Sequence, residues 1–136
     1  MATWEQYQST MKAPPGLCEA ARANDLASIE RMLGEGQDIE ATDARGYSPL
    51  MLAVYSGNEE AARLLLDRGA DPNGRDRSGS TPLMGAAFKG HLRLVDLLLR
   101  SGADREARNE AGAGALHFAN LFGRDDVAAL LQGANR

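Results

Sequence analysis

A chain of 136 residues has the length of one domain and leaves no room for a separate catalytic unit. Its formal charge of −4 and isoelectric point near 5.1 set it against a phosphate backbone, and no apolar run approaches the ~20 residues a bilayer crossing needs, so neither nucleic acid nor membrane is an expected partner. Hydrophobic residues make up 43% of the chain but aromatics only 5%, so small aliphatic side chains must build the core.

Met1 to Lys12 lacks the basic start and apolar stretch of a secretory signal. Trp4, Tyr7 and Met11 follow i, i+3, i+7 spacing, which predicts a short amphipathic helix over the first unit; a free tail fits the same residues. The single cysteine, Cys18, has no partner for an internal disulfide, and together these features point to the cytoplasm. Thirteen arginines against two lysines suggest a GC-rich, bacterial source.

From Ala13 onward the chain repeats itself. At an offset of 33 residues, Gly46, Pro49, Leu50, Met51, Ala53 and Gly57 align with Gly79, Pro82, Leu83, Met84, Ala86 and Gly90. Leu64 to Leu66, Gly69 to Asp71 and Arg75 then meet Leu97 to Leu99, Gly102 to Asp104 and Arg108. Leu17, Ala20, Leu26, Ile29, Met32, Leu33 and Gly36 hold the same frame upstream, as do Gly112, Leu116, Ala119, Gly123, Leu130 and Leu131 downstream. The predicted units are 13–45, 46–78, 79–111 and 112–136.

Each unit reads as two short helices and a finger. Ser48 and Thr81 are hydroxyl N-caps, each followed by a proline whose missing N–H costs nothing at the first helical position. After Gly57 and Gly90, second helices are predicted over Glu59–Asp67 and Leu92–Arg100, with Asn58 as an N-cap. Gly69 and Gly102 terminate them, and a turn-forming stretch such as Ala70–Ser80 follows. In the last unit Gly114 and Ala115 replace the Thr-Pro pair, which predicts a weaker helix start.

Gly79, Thr81, Pro82, Leu83, Ala86, Ala87, Gly90, His91, Val95, Leu98, Leu99, Gly102, Ala103 and Asp104 together resemble the ankyrin repeat, with its 33-residue period and Thr-Pro-Leu-His signature. Met51 and Met84 stand where that signature has His, which only His117 supplies. The resemblance implies an all-α ankyrin repeat solenoid of four stacked helix-turn-helix units with protruding β-turn fingers. Arg31 replaces the inner units' Leu64 and Leu97, and Gln132 replaces Leu66 and Leu99, so both ends read as solvent-facing caps and the array as complete.

No constellation in the sequence supports catalysis. Cys18 and His117 share one repeat position but lie three units apart, too far to form a nucleophile and base; a small packed thiol and a histidine bonded to a neighbouring turn are expected instead. One Cys and two His make no zinc site, and Asp71, Asn73 and Arg75 fail as a calcium loop because Arg75 is cationic and Pro82 replaces the bidentate Glu. Gly112 and Gly114 begin a dinucleotide fingerprint that His117 interrupts. The pairs Glu59/Glu60 and Asp125/Asp126 suit helix first turns, and Arg63, Asp67, Arg93, Asp96 and Arg100 suit a solvated face. No metal, no cofactor and no enzymatic activity are expected.

The ankyrin resemblance implies a protein partner on a concave surface of fingers and first helices. The exposed first-helix position reads Arg22, Tyr55, Phe88 and Leu121, and the next reads Ala23, Ser56, Lys89 and Phe122. Tyr47 extends the candidate patch, and Arg45, Arg75, Arg77 and Arg108 flank it from the fingers, near Asp43, Asp76 and Glu110. Packing of these rings against neighbouring first helices is the competing reading, and a cap burying Leu121 and Phe122 belongs to it. The expected function is a monomeric, non-catalytic regulator or scaffold. An enzyme inhibitor, a self-associating protein and an enzyme of unrecognised type are the alternatives.

Overall fold

Alanine recurs at one position of the first helices and leucine at several positions of the second. In the computed structural model, which describes residues 16–133, eight helices occur in four antiparallel pairs. They are α1 (Leu17–Arg22) with α2 (Leu26–Gly34), α3 (Pro49–Tyr55) with α4 (Glu59–Asp67), α5 (Pro82–Lys89) with α6 (Leu92–Arg100), and α7 (Ala115–Leu121) with α8 (Asp125–Gly133). The first helices pack side by side in one row and the second helices in another, with the closer packing in the first row. Ala20, Ala53, Ala86 and Ala119 are all buried where first helices meet, and a methyl group lets backbones approach closely. Met32, Leu65, Leu98 and Leu131 are buried at the equivalent position of the second helices, where they complete the core between the two rows. The helix expected from Trp4, Tyr7 and Met11 lies outside the described residues.

The helix starts follow the sequence chemistry closely. The hydroxyl oxygens of Ser48 and Thr81 accept from the Met51 and Met84 N–H groups at 3.1 and 3.4 Å, ahead of Pro49 and Pro82. Gly114 gives α7 no side-chain cap. The second helices span Glu59–Asp67 and Leu92–Arg100 as expected, and Gly69 and Gly102 follow them with φ of 96° and 99°. Asn58 departs from its expected role. Its amide donates to the Ala21 and Arg22 carbonyls of the preceding pair at 3.0 and 2.8 Å, while the Asn24 side-chain oxygen caps α4 by accepting from Ala61 N–H at 3.0 Å. The caps are thus exchanged between neighbouring pairs, which converts a local signal into an inter-repeat bond.

The fingers are three versions of one hydrogen-bonded loop. Asp43, Asp76 and Asn109 each use one side-chain oxygen to accept from the N–H groups two and four residues on: Arg45 and Tyr47, Ser78 and Ser80, Ala111 and Ala113. Below them, Asp38, Asp71 and Asp104 each accept from the backbone two residues on. Glu40 and Asn73 then accept from the backbone N–H of Asp71 and Asp104, at 2.7 Å in both cases, and tie one finger to the next. At the ends of the described array Arg31 and Gln132 are exposed.

Candidate protein-binding face

The first-helix face carries an open groove of about 520 Å³ centred on Gly85. Gly85 occupies the repeat position held by Leu52 and Phe118 in the neighbouring units, and the missing side chain leaves a notch in α5. The Tyr55 ring from α3 fills it: a methyl group built on Gly85 would stand 1.8 Å from Tyr55 Cε1. Tyr47, at the tip side of α3, meets the Tyr55 ring edge-on at a centroid distance of 5.5 Å. Tyr55 is therefore half-buried, unlike its expected open position, and burial raises its hydroxyl pKa. Among the described residues that hydroxyl has no hydrogen-bond partner.

At the other end of the groove, Phe88 is 40% exposed and meets Phe122 edge-on at 4.6 Å. Leu121 and Phe122 are 63% and 45% exposed, so no cap formed by the described residues covers them. Lys89 is exposed, with its ammonium 5.9 Å from the Phe88 ring centre. Arg45 lies over the Tyr47 ring at 4.9 Å, and Asp43 sits between the guanidinium groups of Arg45 and Arg22 at 3.5 and 3.7 Å. The hydrogen bond from the Tyr47 backbone, joined by that from Arg45 and by the Arg45 charge, holds the Asp43 carboxyl below its usual pKa against the opposing effect of desolvation.

The other finger arginines are drawn into the array. Arg75 donates to the Gly79 and Arg108 carbonyls at 2.6 and 2.9 Å, and Arg108 donates to the Gly112 carbonyl at 3.0 Å. The Arg77 stem lies against Gly46 of the preceding finger, whose positive φ of 87° excludes a larger residue there in any case. Arg45, Tyr47, Tyr55, Phe88 and Lys89 therefore share one groove, Leu121 and Phe122 extend its far end, and Arg75, Arg77 and Arg108 brace the fingers. Sequence reasoning overlooked the groove's floor. Its only signal was the irregular Gly85, opposite a tyrosine one unit earlier.

The groups considered for catalysis stay apart. The Cys18 thiol donates to the Ala41 and Tyr47 carbonyls at 3.4 and 3.7 Å, and burial followed by the Asp43 charge raises its pKa, which disfavours the thiolate. His117 is exposed, with its ring against Phe118 at 5.8 Å and no hydrogen bond to a turn among the described residues. His91 instead packs on Gly57 at the joint between units, its pKa lowered mainly by desolvation. Among the described residues no three potential metal ligands cluster, and no helix is long and apolar enough to cross a membrane.

The family model described as "Ankyrin repeats (3 copies)" matches residues 17–109. The chain belongs to the ankyrin repeat family. Its fold is accordingly an all-α ankyrin solenoid, and ankyrin repeats are protein–protein interaction modules. The helix pair α7–α8 extends this ankyrin array beyond the matched residues. Over 50 residues the chain is similar to the mitochondrial disaggregase of Bos taurus, at 40% identity, and to that of Homo sapiens, at 44%. Those stretches are 37% of this chain and 7% of each relative, so the similarity covers a small part of the relatives' length.

Proposed function

We propose that this chain is a non-catalytic ankyrin module that regulates or scaffolds a protein partner bound across its first helices. The supporting observation is the apolar group of Phe88, Leu121 and Phe122, the most exposed large hydrophobic side chains among the described residues, at the end of an aromatic groove. Aromatic anchors with a polar rim are the usual centre of a protein interface. On this reading residues 13–136 work as one monomeric array of four units, in the cytoplasm, with residues 1–12 as an appended segment.

A photo-crosslinking amino acid at Leu121, tested in host cells, checks the proposal. The side chain is largely solvent-exposed, so the replacement leaves the core intact. The expected result is a discrete crosslinked protein, absent when the same group is placed at Arg63 on the second-helix face. Equal crosslinking from both faces would refute the assignment of the binding surface.

A further inference from the structure

The groove over Gly85 discriminates by charge as well as by shape. Its lining includes three cations, Arg22, Arg45 and Lys89, against one carboxylate, Asp76, in a chain whose net charge is −4. The cations are divided between its ends. Among the described residues, Arg22 and Arg45 stand together at the α1 and finger end and share only Asp43, and Lys89 stands beside Phe88 with no ion-pair partner. Asp76 is held within its own finger by Ser78 and Ser80. Between the charged ends lies an aromatic floor, and the Tyr55 hydroxyl makes no hydrogen bond among the described residues, with Asp76 near it in the same lining.

We propose that this groove takes an acidic linear segment of the protein partner, seated by one large apolar side chain between Tyr55 and Phe88, with Asp or Glu residues on both sides of that anchor. The inference rests on the protein-binding reading above and adds the chemistry of the bound segment. A cavity of about 520 Å³ suits one or two anchoring side chains rather than a folded surface. The apolar anchor supplies affinity. Exposed cations supply steering and discrimination, since solvent-screened charge pairs add little binding strength but penalise a basic competitor through like-charge repulsion. Arg22 and Lys89 also lie in the last turns of their helices, where a cation offsets the dipole, so their binding role has to be separated from helix stability.

Phage-displayed random dodecapeptides selected against the full chain test the proposal, followed by fluorescence anisotropy on a synthetic consensus peptide. Enriched sequences are expected to carry one Phe, Trp, Leu or Met with acidic residues on either side, and their binding to weaken with added salt. The double variant Arg45→Glu, Lys89→Glu should bind about tenfold more weakly or worse, while the same peptide with lysines in place of its acids should prefer that variant to the parent. Circular dichroism of the variant verifies the fold. A basic or uncharged consensus, affinity indifferent to the charge swap, or no enrichment at all would overturn the acidic-segment inference. The crosslinking at Leu121 uses no peptide, so it reports separately on whether a protein binds this face.

Discussion

Replacing Gly85 by alanine pits two opposed effects against each other, and the structure decides which wins. Alanine within a helix is favoured over glycine by about 1 kcal/mol, and Gly85 lies inside α5 with no positive φ to protect. The new methyl, however, would stand 1.8, 2.5 and 2.9 Å from three carbons of the Tyr55 ring. Contacts this close do not persist, so the ring must leave the notch. Expulsion forfeits much of a large side chain's burial, about 1.5 to 3 kcal/mol, together with an edge-on pair with Tyr47 of about 0.5 to 1.5 kcal/mol. Gly85→Ala should therefore destabilise the protein by about 1 to 3 kcal/mol. In a Tyr55→Ala background the obstacle is gone, and the same substitution should stabilise by about 1 kcal/mol. Urea denaturation of the four proteins in this double-mutant cycle measures the sign reversal. If Gly85→Ala has the same sign and size in both backgrounds, Tyr55 does not occupy the notch.

Two further outcomes follow from the core and the inter-repeat joint. Leu98→Ala, at a fully buried position of α6, should cost about 2 to 5 kcal/mol, and an unchanged urea midpoint would contradict the stacking described above. His91 has its pKa pushed below the ordinary 6.5, first by desolvation and then by Lys89 and Arg124, with Glu59 opposing. The unfolded chain then binds the extra proton more readily. This histidine's share of stability is full above pH 6.5 and declines as pH falls toward the lower folded-state value, so the difference in urea midpoint between mildly alkaline and mildly acidic buffer should shrink in His91→Asn.

The elements whose chemistry is contained within one unit were legible in the sequence. Ser48 and Thr81 cap their own helices, and the glycines after the second helices adopt the left-handed conformation their positions require. What could not be read directly were the bonds between units. Asn58 carries an N-cap signature, but the carbonyls at the end of α1 lie within its reach and the competing hydrogen bonds win. Arg75 and Arg108 have the composition of exposed recognition residues, yet backbone carbonyls of their own and the next finger take up their guanidinium donors. A 33-residue period says which residues share a position along the array. It does not say which neighbour's side chain enters the space between two positions.

The same distinction locates the groove. Positions that keep one chemistry through the array, such as the buried leucines at 65, 98 and 131 or the Asx residues at 43, 76 and 109, are spent on contacts between and within units. Such positions define the scaffold and carry little that distinguishes one ankyrin protein from another. Positions that vary from unit to unit are free of that demand: Leu52, Gly85 and Phe118 at one, and Tyr55, Phe88 and Leu121 at another. These are the residues that make the notch, fill it with an aromatic ring and leave apolar surface exposed beyond it. Recognition in a repeat protein is thus encoded where the period fails. For this chain, the departure of Gly85 from its neighbours says more about function than the regularity of the repeats around it.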